Sequence, residues 1–126
     1  MGITERLEEL RVNFPECRIA AFADLSAKTI LTYSASSKPR QEELDALCAA
    51  AADLLNGDLA QQLIRTVPDA KAVEEVASQT GSQMTVALRL TNAPDEALCC
   101  LCAPEIDLGA FSGRARRAMA SGDFRQ

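Results

Sequence analysis

The side chains best suited to chemistry in this sequence are its cysteines, three of which stand in the run Cys99-Cys100-Leu101-Cys102. Cys99 and Cys102 have the Cys-x-x-Cys spacing found in zinc sites and in redox-active disulfides. A structural zinc site needs a second such pair or histidines, and the chain has no histidine. A redox pair sits at the start of a helix, whereas this apolar run is typical of a strand, whose residues 99 and 102 face opposite sides. The pattern favours packing, with metal and redox roles as the alternatives.

The other reactive side chains have structural interpretations of their own. Asp24 lies at a turn between two strand-like runs, where a carboxylate folds back onto the backbone. Glu74 and Glu75 are adjacent rather than facing, so they do not form a pair of carboxylates for acid–base work. Cys17 opens a strand and is expected to be partly exposed, with no activating neighbour. Cys48 lies on the apolar stripe of a long helix and is expected to pack there.

Arginines gather near the end of the sequence, at positions Arg114, Arg116, Arg117 and Arg125. Cations in the second half of a helix are typical of a solvated face that the helix dipole favours. Contact with an acidic partner or a phosphate is the alternative. The six glycines are scattered and form no phosphate-binding loop. If the protein serves a nucleotide-dependent partner, the partner therefore holds the nucleotide, and we expect no cofactor and no metal here.

The composition excludes several classes of function. Without histidine there is no Ser–His or Cys–His nucleophile pair and no histidine base, which argues against most of the familiar hydrolase mechanisms. A net charge of −5 argues against nucleic acid and against a polybasic membrane anchor. No stretch approaches the roughly 18 apolar residues of a membrane helix. An odd number of cysteines, five, is typical of reduced thiols in the cytoplasm. At 126 residues we expect a single domain over residues 1–126.

Apolar periodicity predicts the elements that position these residues. Helices are predicted where apolar residues recur every three to four positions, and strands where apolar and β-branched residues alternate. The predicted helices are 3–12, 41–56 and 107–121, with the helical period continuing over 58–66 after the second of them. The predicted strands are 17–25, 27–34, 83–91 and 96–103. Residues 69–80 are ambiguous, because their composition favours a helix while Gly81-Ser82 is typical of a hairpin turn that follows a strand.

With a strand before Gly81 the order becomes α-β-β-α-β-β-β-α, an α+β fold in which helices pack on a five-stranded antiparallel sheet. Over residues 3–119 this order resembles the roadblock family of dynein light chains and its bacterial relatives. The matching stretches are CRIAAFADLSAKTILTYS, QEELDALCAAAADLLN, QMTVALRLT and EALCCLCAP. Two features depart from the family. Asp24 is followed by no glycine in the first hairpin turn, and the segment 58–70 is longer than a simple connection between a helix and a strand.

The resemblance implies a binding protein rather than a catalyst. Roadblock-like proteins are small dimers that serve as platforms for Ras-like GTPases or larger assemblies, which implies a homodimer and a small GTPase or other protein as partners. The dimer surface would comprise the outer side of helix 41–56, where the alanine run 49–52 permits close approach, and an edge strand near 71–80. The candidate interface residues are Leu44, Leu47, Cys48, Ala51, Leu55, Val73, Glu75 and Val76.

A second interpretation is a regulatory domain of similar sheet-and-helix build, profilin-like, that senses a small ligand. Such a domain needs a cavity of a few hundred Å³ between its sheet and helices. An adaptor core is filled instead. The volume enclosed between the layers therefore distinguishes the two interpretations.

Overall fold

A computed structural model describes residues 2–67, 73–90 and 93–119 of the chain. Within these ranges four helices and five strands follow one another in the order α1-β1-β2-α2-α3-β3-β4-β5-α4. The helices are α1 Ile3–Asn13, α2 Gln41–Asn56, α3 Asp58–Thr66 and α4 Leu108–Met119. The strands are β1 Cys17–Asp24, β2 Thr29–Ala35, β3 Glu75–Thr80, β4 Gln83–Arg89 and β5 Glu96–Cys102.

The five strands form one antiparallel sheet in the order β2-β1-β5-β4-β3, which confirms the predicted fold class. The ambiguous stretch is resolved in part: residues 75–80 are the third strand, and residues 69–72 lie outside the described ranges. β3 is paired with β4 through a two-residue turn between Thr80 and Gln83. Gly81 takes the first turn position with φ of 60°, a left-handed conformation that glycine adopts without steric penalty.

The first hairpin turn forms as the sequence predicts. The carboxylate of Asp24 accepts hydrogen bonds from the Ser26 amide at 2.9 Å, the Ser26 hydroxyl at 2.7 Å and the Ala27 amide at 3.1 Å. Lys28 has a φ of 55° and takes the left-handed conformation that glycine adopts most readily. The side chain of Asp24 thus replaces backbone hydrogen bonds that the turn leaves unmade.

Each face of the sheet carries its own apolar core. On one face α1 and α4 bury Leu7, Leu10, Phe111 and Ala115 against the strands. On the other face the apolar stripe of α2 packs against alternate residues of β1, β4 and β5. Both faces of β1 and β5 are therefore covered, which explains the near-continuous apolar sequence of both strands.

Arg89, at the end of β4, ties four segments together. Its guanidinium donates hydrogen bonds to the carbonyl oxygens of Val73 at 3.0 Å, Pro94 at 2.8 Å and Leu55 at 3.0 Å, and to the side-chain oxygen of Asn56 at 2.7 Å. The carbonyl of Leu55 lies in the last turn of α2, where helix carbonyls lack intrahelical partners and a cation is favoured. Arg89 therefore fixes the end of α2 relative to the chain entering β3.

Candidate functional site

The outer edge of β3 is an open pairing edge. Among the described residues β3 is paired with β4 alone, so its other side is not paired with any strand. The amide of Arg89 donates to the carbonyl of Glu74, and hydrogen-bonded pairs alternate along an antiparallel ladder. The amides of residues 76, 78 and 80 therefore face β4, and those of Glu75, Ala77 and Gln79 point outward. Three donors and their carbonyls are available to a further strand.

The opposite edge of the sheet is less suited to pairing. β2 is the other edge strand, and its register with β1 shifts between Phe22 and Ala23, which leaves Leu31 without a pairing partner in β1. Such a bulge twists an edge away from regular pairing. β3 has no register shift and contains neither proline nor lysine, the residues that commonly protect an edge. β3 is thus the edge that a second strand can extend.

Beside this edge, one flank of α2 carries small residues where an exposed helix face usually carries charges. Ala46 is exposed and Ala50, one turn later, is half-buried. They border a cavity of about 240 Å³ whose floor includes Thr85 of β4 and Leu101 of β5, both half-buried. We call Ala46, Ala50, Thr85, Leu101 and the edge strand β3 the α2–β3 face. The flank of α2 rises above the exposed part of the sheet beside it, so the α2–β3 face can accept a helix against α2 or a strand along β3.

Five of the eight predicted interface residues belong to the core side of α2, and one of them, Leu47, also lines the cavity of about 240 Å³. Leu44, Leu47, Cys48, Ala51 and Leu55 form the stripe of α2 that packs on the sheet, and each is at most 5% exposed. The prediction is corrected here, because side chains buried in the core have no surface to offer a partner. The resemblance implies the outer side of α2 as the dimer surface. The residues on that side, above all Ala46, are missing from the predicted set. Alanines on the polar side of an amphipathic helix are the signal that could have found them.

The other three predicted residues lie at the open edge. Val73 and Val76 are half-buried and pack against the α2 core, so they support β3 from within. Glu75 opens β3 and accepts hydrogen bonds from Arg116 of α4, whose Nε and Nη2 lie 2.8 and 2.6 Å from its Oε1. The structure therefore brings these three residues together with the α2–β3 face, on its inner border and at one end.

The five thiols are free and buried. Cys99 faces α2, whereas Cys102 lies in the α1–α4 core, so the Cys-x-x-Cys pair is divided between the two faces as predicted. The expectation that Cys17 is partly exposed is wrong: it is 0% exposed, because α1 and α4 cover the start of β1. Cys17, Cys100 and Cys102 share that core. Among the described residues, no cluster of three or more Cys, Asp or Glu is arranged to hold a metal ion.

The ionisation of these thiols follows from burial and from hydrogen bonds between them. Burial raises the pKa of Cys99 to about 12 and raises the pKa of Cys100 and of Cys48 as well. Hydrogen bonds from the thiols of Cys100 and Cys102 lower the pKa of Cys17. Because Cys17 has no exposed surface, even an ionised thiolate there is shielded from a dissolved substrate.

Two further sequence candidates have defined places. Asp24 stabilises the first hairpin turn. Its carboxylate accepts a hydrogen bond from the Ser26 hydroxyl and others from backbone amides, and these bonds, the first above all, lower the pKa of the carboxyl. Of the arginines, Arg116 is bound by Glu75, Arg114 lies 3.9 Å from Glu9 of α1, and Arg125 lies outside the described residues. No helix in the described ranges combines the length and the apolar character needed to cross a membrane.

The fold is shared with solved roadblock-like structures. A roadblock/LC7 domain from Streptomyces avermitilis has a TM-score of 0.77 with this chain, covering 96% of it and 94% of that chain at 15% sequence identity. The gliding protein MglB from Thermus thermophilus has a TM-score of 0.72, covering 92% and 82% at 21% identity. MglC from Myxococcus xanthus has a TM-score of 0.64, covering 96% and 94% at 13% identity. The predicted roadblock-like domain is thereby confirmed as a fold.

At the level of sequence the comparisons give no match. No protein-family model matches the chain, and no curated protein matches it significantly. The likeness thus lies in the three-dimensional arrangement of the elements. Identities of 13–21% establish the fold alone, and function has to be argued from the α2–β3 face.

Proposed function

We propose that this protein is a non-enzymatic adaptor of the cytoplasm, which forms a homodimer through the α2–β3 face and presents the paired domains to another protein, a small Ras-like GTPase. The open edge of β3 carries the proposal. Its outward donors at Glu75, Ala77 and Gln79 have no strand partner among the described residues, and a second β3 running antiparallel satisfies them.

The flank of α2 supports the same arrangement. When two β3 strands pair, the two sheets become continuous and the α2 helices of both copies lie on the same side. Ala46 and Ala50 allow their backbones to approach closely, since interaxial distance depends on the side chains at the contact. A contact of this kind is symmetric, with the same residues on both copies, which is the commonest geometry for homo-oligomers.

Solved relatives supply a further argument for assembly. One structure of MglB, 21% identical to this chain with a TM-score of 0.73, is described as a tetrameric arrangement. Binding without chemistry is supported by the thiols, which are all buried, and by the absence of histidine from the sequence. Free thiols are typical of a reducing compartment.

The alternative, a sensor of a small ligand, finds less support. Both apolar cores are filled by side chains at or near zero exposure. Cavities of about 240, 280 and 300 Å³ among the described residues are bordered by exposed residues such as Gln41, Ala46 and Lys28 and lie at the surface. A filled interior favours an adaptor over a sensor.

Substitutions at Ala77 test the dimer. Ala77→Pro removes an outward amide donor and places a ring at the open edge, while the fold is retained because that amide makes no bond to β4. Ala77→Thr is the matched control, since it keeps the donor and suits a strand. Sedimentation equilibrium should give a dimer for the wild type and Ala77→Thr, and a weakening of at least about tenfold for Ala77→Pro, the loss of about 1.4 kcal/mol. Equal association of all three proteins would refute the arrangement.

The GTPase partner is tested separately. The wild-type protein and Ala77→Pro are immobilised and incubated with extract of the native cell containing a non-hydrolysable GTP analogue or GDP, and bound proteins are identified by mass spectrometry. A small GTPase retained by the wild type in one nucleotide state, and reduced on Ala77→Pro, supports the proposal. If no small GTPase is retained in either nucleotide state, the GTPase partner is rejected. The dimer is then judged by sedimentation equilibrium alone.

A further inference from the structure

Three of the thiols lie together on the sheet face that α1 and α4 cover, those of Cys17, Cys100 and Cys102. Cys17 begins β1, Cys102 ends β5, and the two residues are register partners in the antiparallel ladder. We propose that Cys17 and Cys102 are a redox modification site, a pair of thiols that a small disulfide such as oxidised glutathione converts reversibly into a cross-strand disulfide bond. The site is independent of the proposed dimer, because α2 covers the opposite face of the sheet and β4 separates β3 from β5.

The backbone hydrogen bonds define the kind of register pair that the two cysteines form. The amide of Ala103 donates to the carbonyl oxygen of Glu16 at 2.9 Å, one residue beyond the pair on each strand. The amide of Cys17 donates to the carbonyl oxygen of Phe14 at 2.8 Å rather than to Cys102. Cys17 and Cys102 are therefore a non-hydrogen-bonded pair, a type whose Cα atoms are about 4.5 Å apart and whose side chains approach most closely. That separation lies within the range of about 4.4–6.8 Å that disulfide bonds span.

The two side chains meet in the same core. The thiols of Cys17 and Cys102 are hydrogen-bonded to each other, so their sulfur atoms are neighbours. The Cys17 thiol also contacts the carbonyl oxygen of Ile19, to which it donates at 3.4 Å. A bond between the two sulfur atoms therefore needs adjustment of two side chains and leaves the pairing of β1 with β5 as it is.

The other cysteines are placed less well for a bond to Cys17. Cys100 stands two residues before Cys102 on β5, diagonally from Cys17, and diagonal neighbours are about 7–8 Å apart, beyond the reach of a disulfide. Cys99 and Cys48 belong to the core on the opposite face of the sheet. The fold thus selects Cys102 as the partner of Cys17.

The exchange with oxidised glutathione conserves atoms and electrons. The thiolate of Cys17 attacks one sulfur of the glutathione disulfide, forms a mixed disulfide and expels one glutathione thiolate, which takes up the proton of Cys102. The sulfur of Cys102 then attacks the Cys17 sulfur and expels the second glutathione thiolate, which takes up the proton that Cys17 had released to water. Two protein thiols are oxidised and one glutathione disulfide is reduced to two thiols. The hydrogen bonds that lower the pKa of Cys17 make it the first nucleophile.

Burial determines when the exchange occurs. Both residues are at most 1% exposed, so the exchange takes place while the chain folds or when α1 or α4 opens locally. The finished bond joins the residue at the start of β1 to the residue at the end of β5 and closes a loop of about 85 residues. A long closed loop restricts the unfolded chain, so oxidation stabilises the folded domain.

Refolding of the full chain in a glutathione buffer tests the pair. The reduced protein is unfolded in urea and diluted into about 1 mM each of oxidised and reduced glutathione, a poise at which a structural disulfide is stable. After an acid quench the free thiols are alkylated and tryptic peptides are identified by mass spectrometry. Roughly nine in ten chains should carry a disulfide between Cys17 and the peptide that holds Cys99, Cys100 and Cys102.

Fragmentation of that linked peptide identifies the partner cysteine in the wild type, and two variants check it. Cys100→Ala is the matched control, because it removes a thiol from the same core and should form the linked peptide as the wild type does. Cys102→Ala should lower the yield of linked peptide at least about tenfold, since the remaining thiols lie too far from Cys17. Refolding of each variant is confirmed by circular dichroism.

The thermal stability of the wild type gives a second measurement. The oxidised protein should have a Tm about 10 °C above that of the reduced protein, and dithiothreitol should abolish the difference. When the chain is held in urea in the same glutathione buffer, the yield of the Cys17–Cys102 bond should fall at least about tenfold, because only the folded register brings the two residues together. A linked peptide bonded through Cys100, an equal yield in urea, or an oxidised protein less stable than the reduced one would overturn the proposal.

Discussion

Replacing Arg89 by methionine is the substitution with the broadest expected consequence. Methionine keeps an unbranched stem of similar length but removes every hydrogen-bond donor of the guanidinium. The bonds to the carbonyls of Val73 and Leu55 are partly buried, and those to Pro94 and Asn56 are exposed. Water replaces the exposed bonds readily and the partly buried ones poorly, so the latter two dominate the cost.

The magnitude follows from these four bonds. A charged donor to a partly buried carbonyl contributes about 1–1.5 kcal/mol, and an exposed bond at most about 0.5 kcal/mol. Arg89→Met should therefore lower the free energy of unfolding by about 3 kcal/mol and lower the Tm by about 10 °C in a chain of this length. Arg89→Lys keeps the charge at the end of α2 but loses the planar fork, and should recover less than half of the loss.

Urea denaturation followed by circular dichroism measures the change, with Arg65→Met as the control. Arg65 is an exposed arginine in the last turn of α3, and its replacement should cost less than about 1 kcal/mol. Because Arg89 fixes the chain that enters β3, Arg89→Met should also weaken dimerisation. A loss of stability below about 1 kcal/mol for Arg89→Met would show that the four-way contact does not stabilise the fold as argued.

Three further predictions concern the core, the first turn and the thiols. Phe111 is 0% exposed and meets Phe14 edge-to-face at 5.2 Å, so Phe111→Ala should cost about 3–5 kcal/mol in urea denaturation, and a cost below about 1 kcal/mol would contradict the packing. Folding lowers the pKa of Asp24 below its ordinary value of 3.8, so the ionised carboxylate stabilises the fold above that pH. This stabilisation is lost as the pH falls through the pKa of the folded state. Asp24→Asn should therefore be less stable than the wild type at pH 7, and the difference should shrink as the pH falls below 3.8; a pH-independent difference would contradict this account. Iodoacetamide at pH 8 should modify none of the five buried thiols of the native protein within an hour, whereas all five should react in urea, and rapid native labelling of Cys99 would argue against its burial and its pKa of about 12.

Much of the fold could be predicted because local signals and tertiary packing agree. The stripe of α2 has helical spacing and covers the sheet, and the run of β5 is apolar on both sides because helices cover both faces. In β4 the apolar Val86 and Leu88 alternate with Thr85 and Ala87, a pattern that predicts one buried and one solvated face of the strand. This prediction is wrong at the centre of the strand. Val86, Ala87 and Leu88 are all buried, since α2 covers the face that holds Ala87. Alanine carries no polarity signal strong enough to predict that burial.

The candidate site could be predicted less well, for a physical reason. Sequence periodicity identifies the stripe of a helix that is apolar, and in α2 the sheet of the same chain already buries that stripe. A dimer surface uses what remains exposed, and an exposed alanine such as Ala46 is a weaker signal than an apolar stripe. The hydrogen bonds of the Arg89 guanidinium have no sequence signal either, because their acceptors come from separate segments of the chain. Long-range hydrogen bonds leave no local pattern.

Hydrogen exchange of the β3 amides in the wild-type protein, measured by NMR across a dilution series, examines pairing at the open edge most directly. If two β3 strands pair, Ala77 and Gln79 exchange slowly at high protein concentration and lose that protection on dilution, while Ser78, which is bonded to β4, stays protected throughout. Fast exchange of Ala77 and Gln79 at every concentration, with a mass that stays at the 13.5 kDa of one chain, would contradict a self-pairing adaptor.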